Sequence, residues 1–207
     1  MNKQSDRLSR RSFLRNSTAV GASASAFTLV RPELVRGAGN EKLKAGLIGC
    51  GGRGTQAVRD LLTGADNVDL VAMGDIFEDR LEQSLGTLRS PEREPRIREH
   101  IKVDPEHHFV GFDAYKKVIA SDVDVVLLAT PPGYRPEHFE ACIAAKKHVF
   151  CEKPFGTDPV GVRRFMAAAK KSEELKLTVV TGAQRRFARD YVETVDKIKN
   201  GAIGDVA

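Results

Sequence analysis

Between Lys44 and Thr181, short unbroken apolar runs alternate with stretches whose apolar residues recur at helical spacing. Runs of this kind are buried on both faces, which a parallel sheet covered by helices on each side provides. Strands are read at Lys44–Cys50, Leu70–Asp75, Val123–Ala129, His148–Cys151 and Leu177–Thr181. Helix faces between them carry Ala57, Val58, Leu61 and Leu62, then Leu81, Leu85 and Leu88, then Tyr115, Val118 and Ile119. A further helix over Pro136–Lys147 turns Phe139, Cys142 and Ile143 inward. A long helix from Asp158 to Leu175 is expected to bury Val162, Phe165, Met166 and Ala169, and a last helix Tyr191, Val195 and Ile198. Residues 90–109 hold Pro91, Pro95 and Pro105 without an apolar period and read as a long surface connection. Right-handed crossovers make this order an α/β, doubly wound parallel sheet.

The first strand runs directly into Gly49-Cys50-Gly51-Gly52-Arg53-Gly54, a G-x-G-x-x-G loop that opens the first helix. In that setting Gly49 permits the turn, Gly51 lets a pyrophosphate approach the backbone, and Gly54 lets helix and strand pack closely. Gly52, Arg53 and the neighbouring N–H groups of the helix start complete the expected phosphate cradle. Asp75 ends the second strand, where a carboxylate accepts from a ribose 2′-hydroxyl; an ordinary strand-end acid is the simpler alternative. Loop, context and acid together predict a Rossmann domain binding NAD, with NADP disfavoured by Asp75.

The charge balance points away from nucleic acid. The chain has 33 Lys and Arg against 28 Asp and Glu. Residues 1–40 take seven of the first and two of the second, which leaves 26 of each over 41–207. The basicity therefore belongs to the leader, and the rest has no electrostatic case for DNA or RNA. In that leader, Arg10-Arg11 and Phe13-Leu14 precede a mildly apolar stretch of small residues, Ala19–Val30. This order describes an export signal, and the arginine pair resembles the twin-arginine address read by the translocation machinery. Cleavage is expected between Ala24 and Asn40, leaving a periplasmic or otherwise exported domain of about 167 residues. No apolar run of about eighteen residues exists, so no stable membrane insertion is expected. Cys50, Cys142 and Cys151 lack C-x-x-C spacing and read as small buried hydrophobes.

The histidines carry little. His100, His107 and His108 are read as solvated loop residues without carboxylate partners, so no metal site is expected. His138 reads as a packing residue rather than an acid–base group. Arg163-Arg164 and Lys170-Lys171 read as the wet face of the long helix.

His148-Val149-Phe150-Cys151-Glu152-Lys153-Pro154 follows a strand ending at Ala129, the turn Thr130-Pro131-Pro132 and the helix with His138. This succession resembles the Gfo/Idh/MocA family, the glucose–fructose oxidoreductase and inositol dehydrogenase superfamily, over residues 44–207. The resemblance implies that Lys153 is catalytic and contacts the reacting hydroxyl, with Glu152 helping to hold the nicotinamide ribose. It implies that Thr130, Pro131 and Pro132 line the cofactor cleft and that Gln184 and Arg186 face the substrate. Oxidising an alcohol requires a proton acceptor within hydrogen-bond reach of the hydroxyl while hydride leaves the carbon, which suits a lysine there.

Family members continue into a second α/β substrate domain, absent from this chain. Residues 1–40 are thus expected to be signal and linker, 41–200 the Rossmann domain, and 201–207 the start of a truncated C-terminal domain. The implied activity is hydride transfer between NAD and a sugar, polyol or related carbohydrate, by a homo-oligomer when full length, with the fragment alone inactive. The alternatives are a NAD-dependent glycosidase that oxidises its sugar transiently, and a non-catalytic dinucleotide-binding sensor or partner protein.

Overall fold

A computed structural model describes residues 42–90 and 95–205. The leader with Arg10-Arg11, and Pro91, lie outside the described residues. Six strands form one sheet: β1 (Leu43–Ile48), β2 (Val68–Asp75), β3 (His108–Val110), β4 (Val125–Leu128), β5 (His148–Cys151) and β6 (Val179–Thr181). Their order is β3-β2-β1-β4-β5-β6, and every pairing is parallel. The chain starts in the middle, winds outward to β3, then crosses back to β4 beside β1. That reversal opens a crevice at the carboxyl ends of β1 and β4, where open α/β sheets bind ligands.

Helices α1 (Gly52–Gly64), α2 (Glu78–Arg89) and α3 (Pro95–Glu99) cover one face. Ala57, Val58 and Leu62 pack there with Leu81, Leu85, Leu88 and the strand residues Leu47, Leu70 and Met73. The other face carries α4 (Ala114–Ala120), α5 (Arg135–Ala144) and α6 (Pro159–Glu174). Val118, Phe139, Cys142, Ile143 and Phe165 pack there against Ile48, Val126 and Leu128. Asp158 caps α6 by accepting from the N–H of Gly161 at 2.8 Å, which satisfies one of the helix start's free donors. The three cysteines are buried and free.

Three expectations are corrected. The segment 90–109 is not a plain surface connection. It holds α3, a 3-10 turn at Pro105–His107 and the start of edge strand β3, and it buries Ile97, Ile101 and Val103. In α6, Val162 and Met166 face outward at 37% and 65% exposure, while Phe165, Ala168 and Ser172 turn inward. The final helices α7 (Gln184–Phe187) and α8 (Arg189–Lys199) bury no residue. Tyr191, Val192 and Val195 form an apolar stripe that does not close this core. A stripe read from sequence says that a helix wants an apolar partner, not which surface provides it.

Candidate functional site: a cleft at the sheet's switch point

The cleft at the carboxyl ends of β1, β2 and β4 has a volume of about 340 Å³. Gly49, Gly51, Asp75, Arg80, Tyr115, Thr130, Pro131 and His138 are among the residues that wall it. Pro132 is not among them.

The glycines are used as the loop requires. Gly49 has φ +94°, and a Cβ there would sit 2.7 Å from the backbone of Ala129 and Thr130. A Cβ on Gly54 would lie 2.0 Å from the carbonyl oxygen of Gly49, so this residue lets α1 seat against β1. Gly51 caps α1 in an extended conformation. At Gly51 and Gly52 an added Cβ would meet nothing within 4 Å. The side chains missing there leave open space beside the free N–H groups of the helix start, a shape that admits a pyrophosphate.

Asp75 braces this loop. Its Oδ2 accepts from the N–H of Cys50 at 2.6 Å, and Oδ1 accepts from the N–H of Phe77 at 3.0 Å. Each oxygen keeps acceptor capacity for a ribose hydroxyl. Burial, followed by the nearby Asp75 charge, raises the pKa of the Cys50 thiol, so it stays protonated.

The wall from β4 into α5 is polar and incomplete. Thr130, Arg135 and His138 are each at least nine-tenths buried. Thr130 Oγ1, Arg135 Nε and His138 Nδ1 have no hydrogen-bond partner there. Buried polar atoms are nearly always paired, so three orphans in the residues of one wall set this wall apart from the rest of the core. Arg135 also joins two loops, its Nη2 donating to the carbonyl of Thr130 and its Nη1 to that of Pro154. His138 stacks on Tyr115 with ring centroids 4.0 Å apart, and burial lowers its pKa to about 4. Its neutral ring agrees with a packing role.

Lys153 follows β5 at the same end of the sheet. It is exposed, and no described residue pairs with its ammonium. Glu152 is buried between Gln184 and Arg53. It is 2% exposed, and Gln184 Nε2 donates to both its oxygens, at 2.9 and 3.2 Å. Arg53 meets its Oε1 at 2.7 Å and Asp60 at 3.6 Å, so the Arg53 guanidinium turns from the cleft toward the α1–β6 side. Gly182 makes room for this group, since a Cβ there would lie 2.5–2.7 Å from the Glu152 carboxylate. Gln184 is thereby committed to Glu152, and Arg186 is exposed.

Two histidines depart from the sequence reading. His100 Nδ1 lies 2.8 Å from Asp69 Oδ1 and is not a free loop residue. His107 has Asp104 and Glu106 beside it, the ligand atoms of all three lying within 4.8 Å of one another. The turn Pro105–His107 folds them together, which linear spacing did not reveal. Arg135 was also missed, because a cation between a Gly-Tyr pair and a proline reads as a surface residue.

The family model for oxidoreductases of the Gfo/Idh/MocA type, with an NAD-binding Rossmann fold, matches residues 43–181. The myo-inositol 2-dehydrogenase of Thermotoga maritima is 30% identical over 162 residues, covering 78% of this chain and 42% of the relative. The inositol 2-dehydrogenase of Acidothermus cellulolyticus is 30% identical over 165 residues, 80% of this chain and 43% of the relative. Among solved structures, scyllo-inositol dehydrogenase from Lactobacillus casei with bound NAD(H) and scyllo-inositol superposes with a TM-score of 0.60 at 22% identity. That likeness covers 80% of this chain and 43% of the other, and at such identity it shows the fold. The chain spans less than half the length of these relatives. With that model matched over most of the chain, the chain belongs to the Gfo/Idh/MocA family of oxidoreductases with an NAD-binding Rossmann fold.

Proposed function

We propose that the chain is the cofactor-binding part of an oxidoreductase that passes hydride between NAD and a CH–OH carbon of a cyclic polyol or related carbohydrate. The observation that carries this reading is Lys153, an exposed lysine just past the carboxyl end of β5, the end of the sheet at which the cleft opens. The relatives named inositol dehydrogenases support the substrate class. NAD supplies the hydride acceptor at C4 of its nicotinamide.

The chain's own residues do the rest. Gly51, Gly52 and the N-terminus of α1 cradle the pyrophosphate, and Asp75 receives the adenosine ribose. Thr130 and Pro131 flank the cofactor's reacting half. Lys153 holds the substrate hydroxyl and, once its own proton has passed to solvent, takes the hydroxyl proton on its free amine as the hydride departs. Glu152, fastened by Arg53 and Gln184, fixes the backbone from which Lys153 projects. Arg186, exposed on α7, remains available to a substrate.

Full-length protein assayed with NAD over inositols, sugars and glycosides tests this. NADH formation with a polyol is expected, and Lys153→Ala should lower kcat at least about a hundredfold with NAD affinity retained. Glycoside cleavage without net NADH would establish the glycosidase alternative, and binding without either reaction the sensor alternative.

The domain division belongs to the same proposal, with residues 1–40 as signal and linker, 41–200 as the Rossmann domain and 201–207 as the entry to a substrate domain. So does export: Arg10-Arg11 would direct the folded protein through the twin-arginine route. A Lys-Lys replacement retained in the cytoplasm supports that address; continued export of the variant excludes it.

A further inference from the structure

We propose that Arg135 biases the NAD site toward the reduced cofactor. This rests on the reading above that the segments after β4 and β5 hold the reacting end of NAD. Arg135 lies between those segments. Its two terminal nitrogens bind the carbonyls of Thr130 and Pro154, so the guanidinium sits under both loops and one residue from Lys153. It also walls the cleft.

Its charge is not neutralised. Arg135 is 4% exposed, and no carboxylate forms an ion pair with it among the described residues. The acid that acts on it, Glu152, is bound to Arg53 and Gln184. Among the described residues its hydrogen bonds go to two carbonyls, its Nε has none, and Cys151 and Glu152 act on it only electrostatically. An arginine keeps its proton even when buried, so the cleft carries a fixed positive charge in a region where water screens poorly. Lys153 is exposed and its charge is screened.

The two forms of the cofactor differ by one unit of charge at the nicotinamide. Hydride addition converts a cationic ring into a neutral one. A buried cation beside that ring repels NAD⁺ and leaves NADH unaffected, so the reduced form binds more tightly.

The test measures Kd for NAD⁺ and for NADH on the full-length protein at neutral pH, with Arg135→Met and Arg135→Lys alongside. Wild type should favour NADH. In Arg135→Met the ratio of the two constants should fall about tenfold, the scale of one unit charge acting through a partly buried site. Arg135→Lys keeps the charge and should hold the ratio within about twofold. Wild type also tests the idea without any variant: a buried charge predicts a ratio that persists from about 0.05 M to about 0.5 M salt. An unmoved ratio in Arg135→Met, an equal fall in Arg135→Lys, a ratio lost at high salt, or no NADH preference in wild type would each overturn the inference. Failure of wild type to bind either cofactor would instead overturn the reading of the cleft on which it rests.

Discussion

Arg53 Nε and Nη2 both reach Oε1 of Glu152, each at 2.7 Å. The pair ties the start of α1, which carries the glycine loop, to the residue directly before Lys153. The glycine loop and Lys153 are thus braced against one another through a buried carboxylate. Arg53→Met leaves that carboxylate with Gln184 alone and should cost about 2 kcal/mol, since a buried charged group loses its main partner. Adding Glu152→Leu removes the stranded charge, so the double variant should be no less stable than Arg53→Met. Urea unfolding of Arg53→Met, Glu152→Leu and the double variant measures this. Two losses that simply add would mean that the pair is not coupled.

Gly51→Val separates binding from folding. Gly51 has a negative φ and an extended conformation that L residues adopt, and its missing side chain points into open space. A valine should therefore leave the sheet intact and fill the place where the pyrophosphate meets the backbone. Unchanged circular dichroism with loss of NAD binding in calorimetry is the expected outcome. Retained affinity would reduce the loop to a turn. Gly49→Val is a useful contrast, because φ +94° and a 2.7 Å approach to Ala129 should make it fail to fold.

The strand pattern was legible because each central strand is a continuous apolar run, and β5 was read to its exact residues, His148–Cys151. Edge strand β3 was not, since three residues are too few to show a period and their pairing to β2 supplies the order. Ile97, Ile101 and Val103 are scattered among charges and prolines, so only the fold reveals them as core. All five of Gly49, Gly51, Asp75, Thr130 and Pro131 wall the cleft; the first three were read from local chain geometry, whereas Thr130 and Pro131 came only from the family resemblance. Arg53–Glu152 and Arg135–Pro154 were not legible. They join residues 99 and 19 positions apart, and a buried cation's acceptors exist only once two loops have been brought together.

Asp75 should make the site prefer NAD to NADP. Its carboxylate is held at the cleft wall by two backbone N–H groups, so it cannot swing away from a 2′-phosphate. Arg80 walls the same cleft and is the cation placed to oppose this preference. Titration of wild type and Asp75→Ala with both cofactors decides between them. Asp75→Ala should narrow the preference and weaken NAD as well, because the Cys50 N–H loses its acceptor. Tighter NADP binding to wild type would assign control to Arg80.

His138 should make folding stability depend on pH. Burial lowers its pKa from 6.5 to about 4, so the folded state holds the neutral ring while the unfolded chain protonates near 6.5. Below about 6.5 the unfolded state binds more protons, and stability falls as pH falls. The contribution is complete above about 6.5 and is lost as pH drops through about 4, where the folded ring also protonates. His138→Phe keeps an aromatic ring against Tyr115 and removes both the titration and the orphaned Nδ1. Other groups titrate in both proteins, so the informative quantity is the difference between them. Urea unfolding at about pH 7 and about pH 4.5 should show wild type losing about 2 kcal/mol more than the variant. Equal losses would place the His138 ring in contact with water in the folded protein and leave its stack on Tyr115 without influence on acid stability.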